Sequence, residues 1–554
     1  MTAPVGPARS SELHPRNSRP IAGFQAVVAR LRRLLLAVPA IAVIAALLAP
    51  LAHASSTQLS IFEDDTALHD NLAGTLATIR DLGVDVVRVD VNWAAIAPDA
   101  TSRRPPAGFD AINPADYPAG GWSFYDALDR LARQDGLTVL FTLTKPVPRW
   151  AEPASLPAGL PYSIWRPNAT DFAAFVRAVG TRYDGRYVPA GQSSPLPAVH
   201  MWSIWNEPNY GQGLAPESAD RGSVVVGARL YRALLDGAWS GLMASGHRGD
   251  TILFGEIAPH GSVNGGNYGL VAPLVFLRAL YCVSASGRQL RGSIAAGDGC
   301  PSNPAASRRF RAQNPALFDA SGIAAHLYAQ GVPPNRSFND RCARGDSPSQ
   351  YADLGSVGRL ERLLDSMNAV YGSHRRLAVY NTEYGYQTDP PQPRSCAENS
   401  LPVSPTTAAY YLNWAEYISY RNPRIASFDQ YLLADNDLYF ATGLQTAGGV
   451  AKPTFAAFRT PLYMPDTTSR RPVSLEVWGC VRPAHVDGVR QVQIQFQRDG
   501  RGAFGTLRTV RITNPRGYID VRQRFATSGT VRLAWTDPAT GTVYTSRSVG
   551  IRIR

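Results

Sequence analysis

The sequence predicts a parallel (β/α)8 barrel followed by a small β-sandwich, on three observations. From Gln58 onward, eight short apolar runs alternate with segments whose apolar residues recur at helical spacing. Two of those runs, Trp202-Ser203-Ile204-Trp205-Asn206-Glu207 and Val379-Tyr380-Asn381-Thr382-Glu383, end abruptly in a glutamate beside turn-forming residues. A buried parallel strand that delivers a carboxylate to a barrel rim has this form. From about Arg471 the helical period vanishes and apolar residues fall at every second position.

The first strand, Gln58–Phe62, leads to a helix with Leu68, Leu72, Leu76, Ile79 and Leu82 on one face. Strand two is Asp85–Trp93, followed by a helix carrying Phe124, Leu128 and Leu131. Strand three, Leu137–Leu143, precedes a helix with Phe172, Phe175, Val176 and Val179, for which Thr170 is the expected cap. Strand four is His200–Asn206, with a helix over Val225–Ala244. Strands five to eight are Thr251–Gly255, Gly322–Tyr328, Leu377–Thr382 and Ile425–Leu432, with helices near Tyr351–Tyr371 and Thr406–Tyr420. No glycine-rich dinucleotide turn follows strand one, which argues against an open doubly wound sheet. Beyond it, Val473-Leu475-Val477, Val492-Ile494-Phe496, Val510–Ile512 and Val531-Leu533-Trp535 alternate as half-exposed strands. The expected organisation is an export segment over 1–54, a barrel over 55–466 and a sandwich over 467–554.

Arg30, Arg32 and Arg33 precede an apolar run, Leu34 to Leu51, and then Ala52-His53-Ala54. A basic region, a hydrophobic stretch and a small-x-small site make a secretory signal, with cleavage expected after Ala54. The same run left uncleaved would act as a membrane anchor. Export makes disulfides available, and the expected pairs are Cys282 with Cys300 and Cys342 with Cys396. Cys480 is then left unpaired and buried. The formal charge of +12 is unevenly spread. From Thr467 on there are 15 arginines against five acidic residues, whereas 55–466 is nearly neutral. Lys145 and Lys452 are the only lysines, and no basic helix or aromatic-plus-basic cluster of nucleic-acid type is present. An anionic cell-envelope polymer is a partner that the basic tail would suit.

Two glutamates delivered to one rim can face each other, and a facing carboxyl pair is the equipment for cleaving a glycosidic bond. The octet Trp202-Ser203-Ile204-Trp205-Asn206-Glu207-Pro208-Asn209, on the fourth strand, resembles glycoside hydrolase clan A, the (β/α)8 retaining glycosidases, in the manner of families 39 and 5. Thr382-Glu383-Tyr384-Gly385 on strand seven matches where that clan keeps its nucleophile. Val87-Arg88-Val89-Asp90 with Trp93, His326-Leu327-Tyr328 and Lys452-Pro453-Thr454-Phe455 add to the resemblance, which spans about 58–462 and leaves out the tail domain. It implies Glu207 as acid/base and Glu383 as nucleophile, with Asn206 on the sugar 2-hydroxyl. Arg88 would keep Glu383 ionised, and Tyr328 could donate to the same carboxylate. Aromatic walls and a second negative charge should raise the affinity of Glu207 for a proton. Retaining glycosidases of this clan need no cofactor.

Each residue also has a plainer reading. Glu383 alone could be a strand-end carboxylate in a salt bridge, Arg88 a brace for the barrel, and His326 a satisfied core histidine or a subsite wall. Trp93, Trp150, Trp165 and Tyr386 suit a glycan cleft, since sugar C–H faces pack on aromatic rings, but each could equally be packing. Glu256, after strand five, is a third rim carboxylate. The nine histidines are scattered, with no paired-His metal motif, Gly-x-Ser-x-Gly elbow or phosphate-cradling loop. The expectation is a secreted retaining glycosidase acting on a polysaccharide or oligosaccharide. A cell-envelope polysaccharide-binding protein and a transglycosylase are the alternatives, and the sandwich is read as a structural cap or a glycan-binding module.

Overall fold

The computed structural model describes residues 56–158, 163–339, 347–396, 400–435, 440–483 and 490–554. The export segment at 1–54 lies outside these, as does Cys342, and with it the expected Cys342–Cys396 bridge. Among the described residues, no helix is long and apolar enough to cross a membrane.

Eight parallel strands close into a barrel: β1 (Leu59–Glu63), β2 (Val86–Asn92), β3 (Thr138–Thr144), β4 (Met201–Ile204), β5 (Thr251–Ile257), β6 (Gly322–His326), β7 (Ala378–Glu383) and β8 (Ile425–Tyr431), with β8 pairing back on β1. The period-two alternation sorts each strand into two faces. Val87, Val89 and Val91 of β2 join the large core shared with the helices. Ile61, Val86, Leu140, Met201, Leu253 and Ala324 form a separate apolar layer inside the barrel. The next inward position on β2 is Arg88, which is completely buried. The barrel interior therefore changes from hydrocarbon to charge toward the strands' C-terminal ends.

Several local features differ from the sequence reading. β4 stops at Ile204 rather than Asn206, because Trp205 turns the chain at φ 70° and Glu207 lies at φ 47°. β5 runs past Gly255 to Ile257 through an irregularity in its pairing with β6. The first helix is two, Asp65–Asp70 and Leu72–Asp81, broken at Asn71, whose side chain accepts from the Gly74 N–H and caps the second. The cap before Ala169–Arg182 is Asn168, not Thr170; its carboxamide oxygen accepts from the N–H groups of Thr170 and Asp171. The helix expected at 351–371 begins at Val357, after two short 3-10 turns.

The C-terminal strands are β9 (Leu462–Tyr463), β10 (Thr468–Ser469), β11 (Val473–Cys480), β12 (Arg490–Arg498), β13 (Gly505–Ile512), β14 (Tyr518–Phe525), β15 (Gly529–Thr536), β16 (Val543–Thr545) and β17 (Val549–Ile553). They form a sheet ordered β10-β17-β15-β12-β13, with β16 beside β15, and a second sheet β14-β11-β9. Leu475, Val477 and Ile519 of one sheet and Val492, Ile494, Val531 and Leu533 of the other share a single apolar core. β14 escaped the sequence reading because Gln523 interrupts the inward set Ile519, Val521 and Phe525, while Asp520, Arg522 and Arg524 fill the exposed positions. β9 pairs with β11 and Leu462 lies in the sandwich core, so sandwich packing begins before residue 467.

The sandwich holds the barrel at the end where strands begin. Arg516 pairs with Asp85, just before β2, and the Tyr518 hydroxyl lies 3.4 Å from Gln58 Oε1, just before β1. Arg482 and Glu416 form a buried ion pair, and Tyr518 donates to Glu416 at 3.0 Å. Cys282 and Cys300 are bonded, with Cα atoms 5.5 Å apart, and Cys480 is free and buried.

Candidate active site

At the opposite end, where the strands finish, a cavity of about 460 Å³ opens. Asn206 and Glu207, from the turn after β4, and Glu383, the last residue of β7, line it together with Tyr328. Glu207 and Glu383 offer carboxylate oxygens within 4.8 Å of each other.

The turn bearing Glu207 is held on several sides. The Glu207 N–H donates to the Glu256 carbonyl at 3.0 Å. Asn209 is fully buried and donates to the carbonyls of Ala258 and Val271 at 3.0 and 2.9 Å, while its own oxygen accepts from the Ala258 N–H. The Trp205 indole donates to the Gly213 carbonyl at 3.0 Å. These bonds fix a turn containing two non-glycine residues at positive φ, a conformation that costs roughly 1–3 kcal/mol per residue unless its surroundings impose it.

Glu383 sits deeper than Glu207, with 11% of its side chain exposed against 25%. Arg88 Nη1 donates to its Oε1 at 3.1 Å, and the Tyr328 hydroxyl to its Oε2 at 3.2 Å. His326 Nε2 lies 3.2 Å from Oε1. Burial raises the Glu383 carboxyl above the ordinary glutamate value, and the charges on His326 and Arg88 work against that rise. Arg88 Nη2 donates to Asn206 Oδ1 at 3.1 Å. The bond aims the Asn206 amide N–H2 away from Arg88, leaving it free to donate.

His326 is wholly buried, with Nδ1 3.0 Å from Glu207 Oε1 and Nε2 2.9 Å from Glu256 Oε2. Burial alone would lower its pKa, but the Glu383, Glu207 and Glu256 carboxylates bring it up to about 10. The three carboxylates thus favour the charged form of the ring.

Arg88, Asn206, Glu207, His326, Tyr328 and Glu383 thus converge, although His326 lies beneath the cavity rather than on its wall. Trp93, Trp150 and Tyr386 lie elsewhere. Trp93 is wholly buried and stacks on Phe175 at 5.5 Å. Trp150 meets Trp93 edge-on at 5.8 Å and donates to the Pro98 carbonyl. Tyr386 is 3% exposed and donates to the Val332 carbonyl at 3.1 Å. Trp165 faces Tyr268 outside the cavity lining.

Other lining residues were given no role in the sequence reading. Glu63 of β1 pairs with Arg88 beside Glu383 and is 4% exposed. Asp65 and Asp90 approach Glu63 so that one oxygen from each lies within 4.8 Å of the others. Burial pushes all three above the ordinary carboxylate range. Lys145, Tyr210, His260, Tyr431 and Phe440 complete much of the wall. The available signal was Glu63-Asp64-Asp65 ending the first apolar run, the same strand-to-carboxylate pattern as on β4 and β7.

Among the described residues, two groups are close enough to be considered for a metal, Glu207-His326-Glu383 and Glu63-Asp65-Asp90. In the first, both ring nitrogens of the charged His326 face carboxylates, leaving no lone pair for a cation. In the second, Arg88 already pairs with Glu63 and lies 3.8 Å from Asp90. Neither donor set fits a resident metal well.

No protein-family model matches the chain, and no curated protein matches it. Solved structures of similar fold include a glucosidase from Croceicoccus marinus, at 12% identity over 85% of this chain and 91% of that one, TM-score 0.43. A family 39 glycoside hydrolase from Bacteroides cellulosilyticus WH2 matches at 13% identity over 85% and 82%, TM-score 0.43. A family 1 β-glucosidase from Thermotoga maritima matches at 16% over 70% and 85%, TM-score 0.41.

Proposed function

We propose that this chain is a retaining glycoside hydrolase in which Glu207 is the acid/base and Glu383 the nucleophile. The observation that carries the reading is the approach of their carboxylate oxygens to within 4.8 Å across one cavity. Retaining enzymes hold their carboxyl groups ~5–5.5 Å apart, and inverting ones ~6.5–9.5 Å to admit a water. The division of roles follows from the surroundings. Glu383 faces Arg88 and Tyr328, two donors that favour its anion and that do not reach Glu207, whereas His326 faces both carboxyls. Glu207 stands on the more exposed side, where an aglycone can leave.

In the first step Glu383 Oε bonds to the anomeric carbon as the bond from that carbon to the glycosidic oxygen breaks, and Glu207 gives its proton to that oxygen so that the aglycone leaves as an alcohol. In the second, Glu207 takes a proton from water, which displaces Glu383 from the sugar. The Asn206 N–H2, oriented by the Arg88 bond to its oxygen, donates to the sugar 2-hydroxyl. Glu63, Asp65 and Asp90 add carboxyl groups to the cavity wall that can hydrogen-bond the hydroxyls of a sugar. The export signal at 30–54 would place the reaction outside the cytoplasm, which N-terminal sequencing of protein recovered from the medium would test.

The deciding experiment is incubation with a panel of aryl glycosides, followed by a 2-fluoro glycoside of the sugar that reacts. The expected result is a covalent mass increment on the Glu383 peptide. Glu207→Gln and Glu383→Gln should each lower turnover by several orders of magnitude in a folded protein. Near-normal activity in either variant, or labelling of another residue, rejects the assignment.

A further inference from the structure

We propose that Glu256 is a positioning residue, a carboxylate sealed beneath the cavity that holds His326 in its doubly protonated form so that one imidazolium serves both Glu207 and Glu383. The proposal rests on the reading of those two glutamates as the catalytic pair. Glu256 itself cannot touch a substrate, since it is completely buried and absent from the cavity lining.

The backbone makes specific provision for it. In the β5–β6 pairing Gly255 faces Ala324 and Ile257 faces Ala325, so Glu256 is the extra, bulged residue. A bulge re-aims the side chain it carries. Glu256 sits at φ 46° beside Gly255 at φ 115°, where an added Cβ would come within 2.5 Å of the Ala324 carbonyl. In the β6–β7 pairing Ala325 faces Asn381 and His326 faces Glu383, which leaves Thr382 as a second bulged residue. Its hydroxyl donates to Glu256 Oε2 at 2.5 Å, and the Ser203 hydroxyl donates to Oε1. Two bulges on neighbouring strands thus converge on one carboxylate.

The consequence for His326 follows from counting protons. A neutral imidazole has one N–H, whereas here Nδ1 faces Glu207 and Nε2 faces both Glu256 and Glu383. A neutral ring would turn a lone pair toward a carboxylate oxygen, or would have to accept at Nδ1 the Glu207 proton that the first step delivers to the glycosidic oxygen. Asp90 and Asp429 face the ring from farther away, with burial raising both carboxyls above the ordinary aspartate value, and Arg88, the opposing cation, shares Glu256 and Glu383 with the ring. Burial would raise the Glu256 pKa, but Arg88, His326 and Ser203 bring it down to about 2, so it stays charged beneath the ring. A donor facing each catalytic carboxylate limits where its oxygens can point, and misplacement of about 1 Å can cost ~10²-fold in rate.

The test is nitrogen-15 NMR of the full chain labelled at histidine, with the His326 signals assigned by their loss in His326→Gln. In the parent protein both ring nitrogens should remain protonated from about pH 6 to about pH 9. Glu256→Gln keeps shape and removes charge. It should lower the His326 titration midpoint by about two pH units, a hundredfold change in proton affinity. Its kcat should fall at least about tenfold with KM within about threefold, as expected of an effect confined to the transition state. Glu256→Asp should recover part of both. If Glu256→Gln does not fold, Thr382→Val removes one donor and leaves the carboxylate, and should move the His326 midpoint by a smaller amount than loss of the charge. A His326 that stays doubly protonated to about pH 9 in folded Glu256→Gln, an unchanged midpoint in Thr382→Val, or an unaffected kcat overturns the proposal. A parent protein that cleaves no glycoside defeats the catalytic reading, while the NMR titration still judges the Glu256–His326 pair.

Discussion

Gly213→Ala tests the geometry of the acid/base without touching a charged group. Gly213 follows Glu207 by one tight turn, its N–H donating to the Tyr210 carbonyl at 2.7 Å. A Cβ at this position would stand 2.3 Å from the Glu207 carbonyl oxygen and 2.7 Å from that of Asn206, where ordinary contact begins at 3.4 Å. The Glu207 contact is short by about 1.1 Å, and both obstructing atoms are backbone, so the turn must move. It can move only by straining the bonds from Asn209 to Ala258 and Val271 and from Trp205 to Gly213. Displacement on this scale predicts a loss of about 10²-fold in kcat/KM, or about 2.7 kcal/mol of transition-state stabilisation. The assay is hydrolysis of the best aryl glycoside, alongside thermal unfolding to show that the variant is folded. Gly120→Ala is the control. It lies in the helix Ala119–Gln134, where an added Cβ meets nothing within 4 Å, and it should leave activity unchanged while slightly raising stability. Folded Gly213→Ala with kcat/KM within about threefold of the parent would refute the claim that this turn sets the position of Glu207.

The stability predictions concern other parts of the molecule. Replacing Cys282 and Cys300 by serine frees a loop of sequence separation 18 and should cost about 3 kcal/mol in denaturant unfolding. Arg482→Met leaves Glu416, 1% exposed at the side chain, charged and without its ion-pair partner. The expected cost is about 3–5 kcal/mol, read by urea unfolding, with kcat/KM of the folded fraction unchanged because no described residue of the sandwich lines the cavity. The His326 pKa, raised from 6.5 to about 10, contributes stability that is fully present below pH 6.5 and lost as pH rises through about 10. Glu256, lowered from 4.5 to about 2, contributes above pH 4.5 and loses that contribution as pH falls through about 2. The difference in melting temperature between parent and His326→Gln should therefore shrink as pH climbs from neutrality toward about 10; a constant difference contradicts the assignment.

Strand periodicity carried much of this architecture into the sequence. Short apolar or aromatic runs, valine-rich in β2 and leucine-containing in β3, marked every barrel strand, with ends displaced by only a few residues, because hydrophobic burial acts on each strand separately. Glu207 and Glu383 were legible for a related reason, since an apolar run that stops at a carboxylate reports its own passage from core to rim. Asn71 breaking the first helix, and Asn168 rather than Thr170 capping another, were harder to place. Capping is a contest between neighbouring side chains for the same N–H groups, and composition alone does not decide it.

Local order determined which residues reach the rim: Glu207 at the turn after β4, Glu383 at the end of β7, and Arg88 two positions above the apolar layer of β2. Tertiary structure alone decided which of them meet. The rings of Trp93, Trp150 and Tyr386 turn into packing because neighbouring helices and loops occupy that space. Two bulges, at Glu256 and Thr382, rotate residues that simple alternation would have sent elsewhere. A bulge belongs to the pairing of two strands far apart in the chain, so the charge beneath His326 is specified only once the barrel closes.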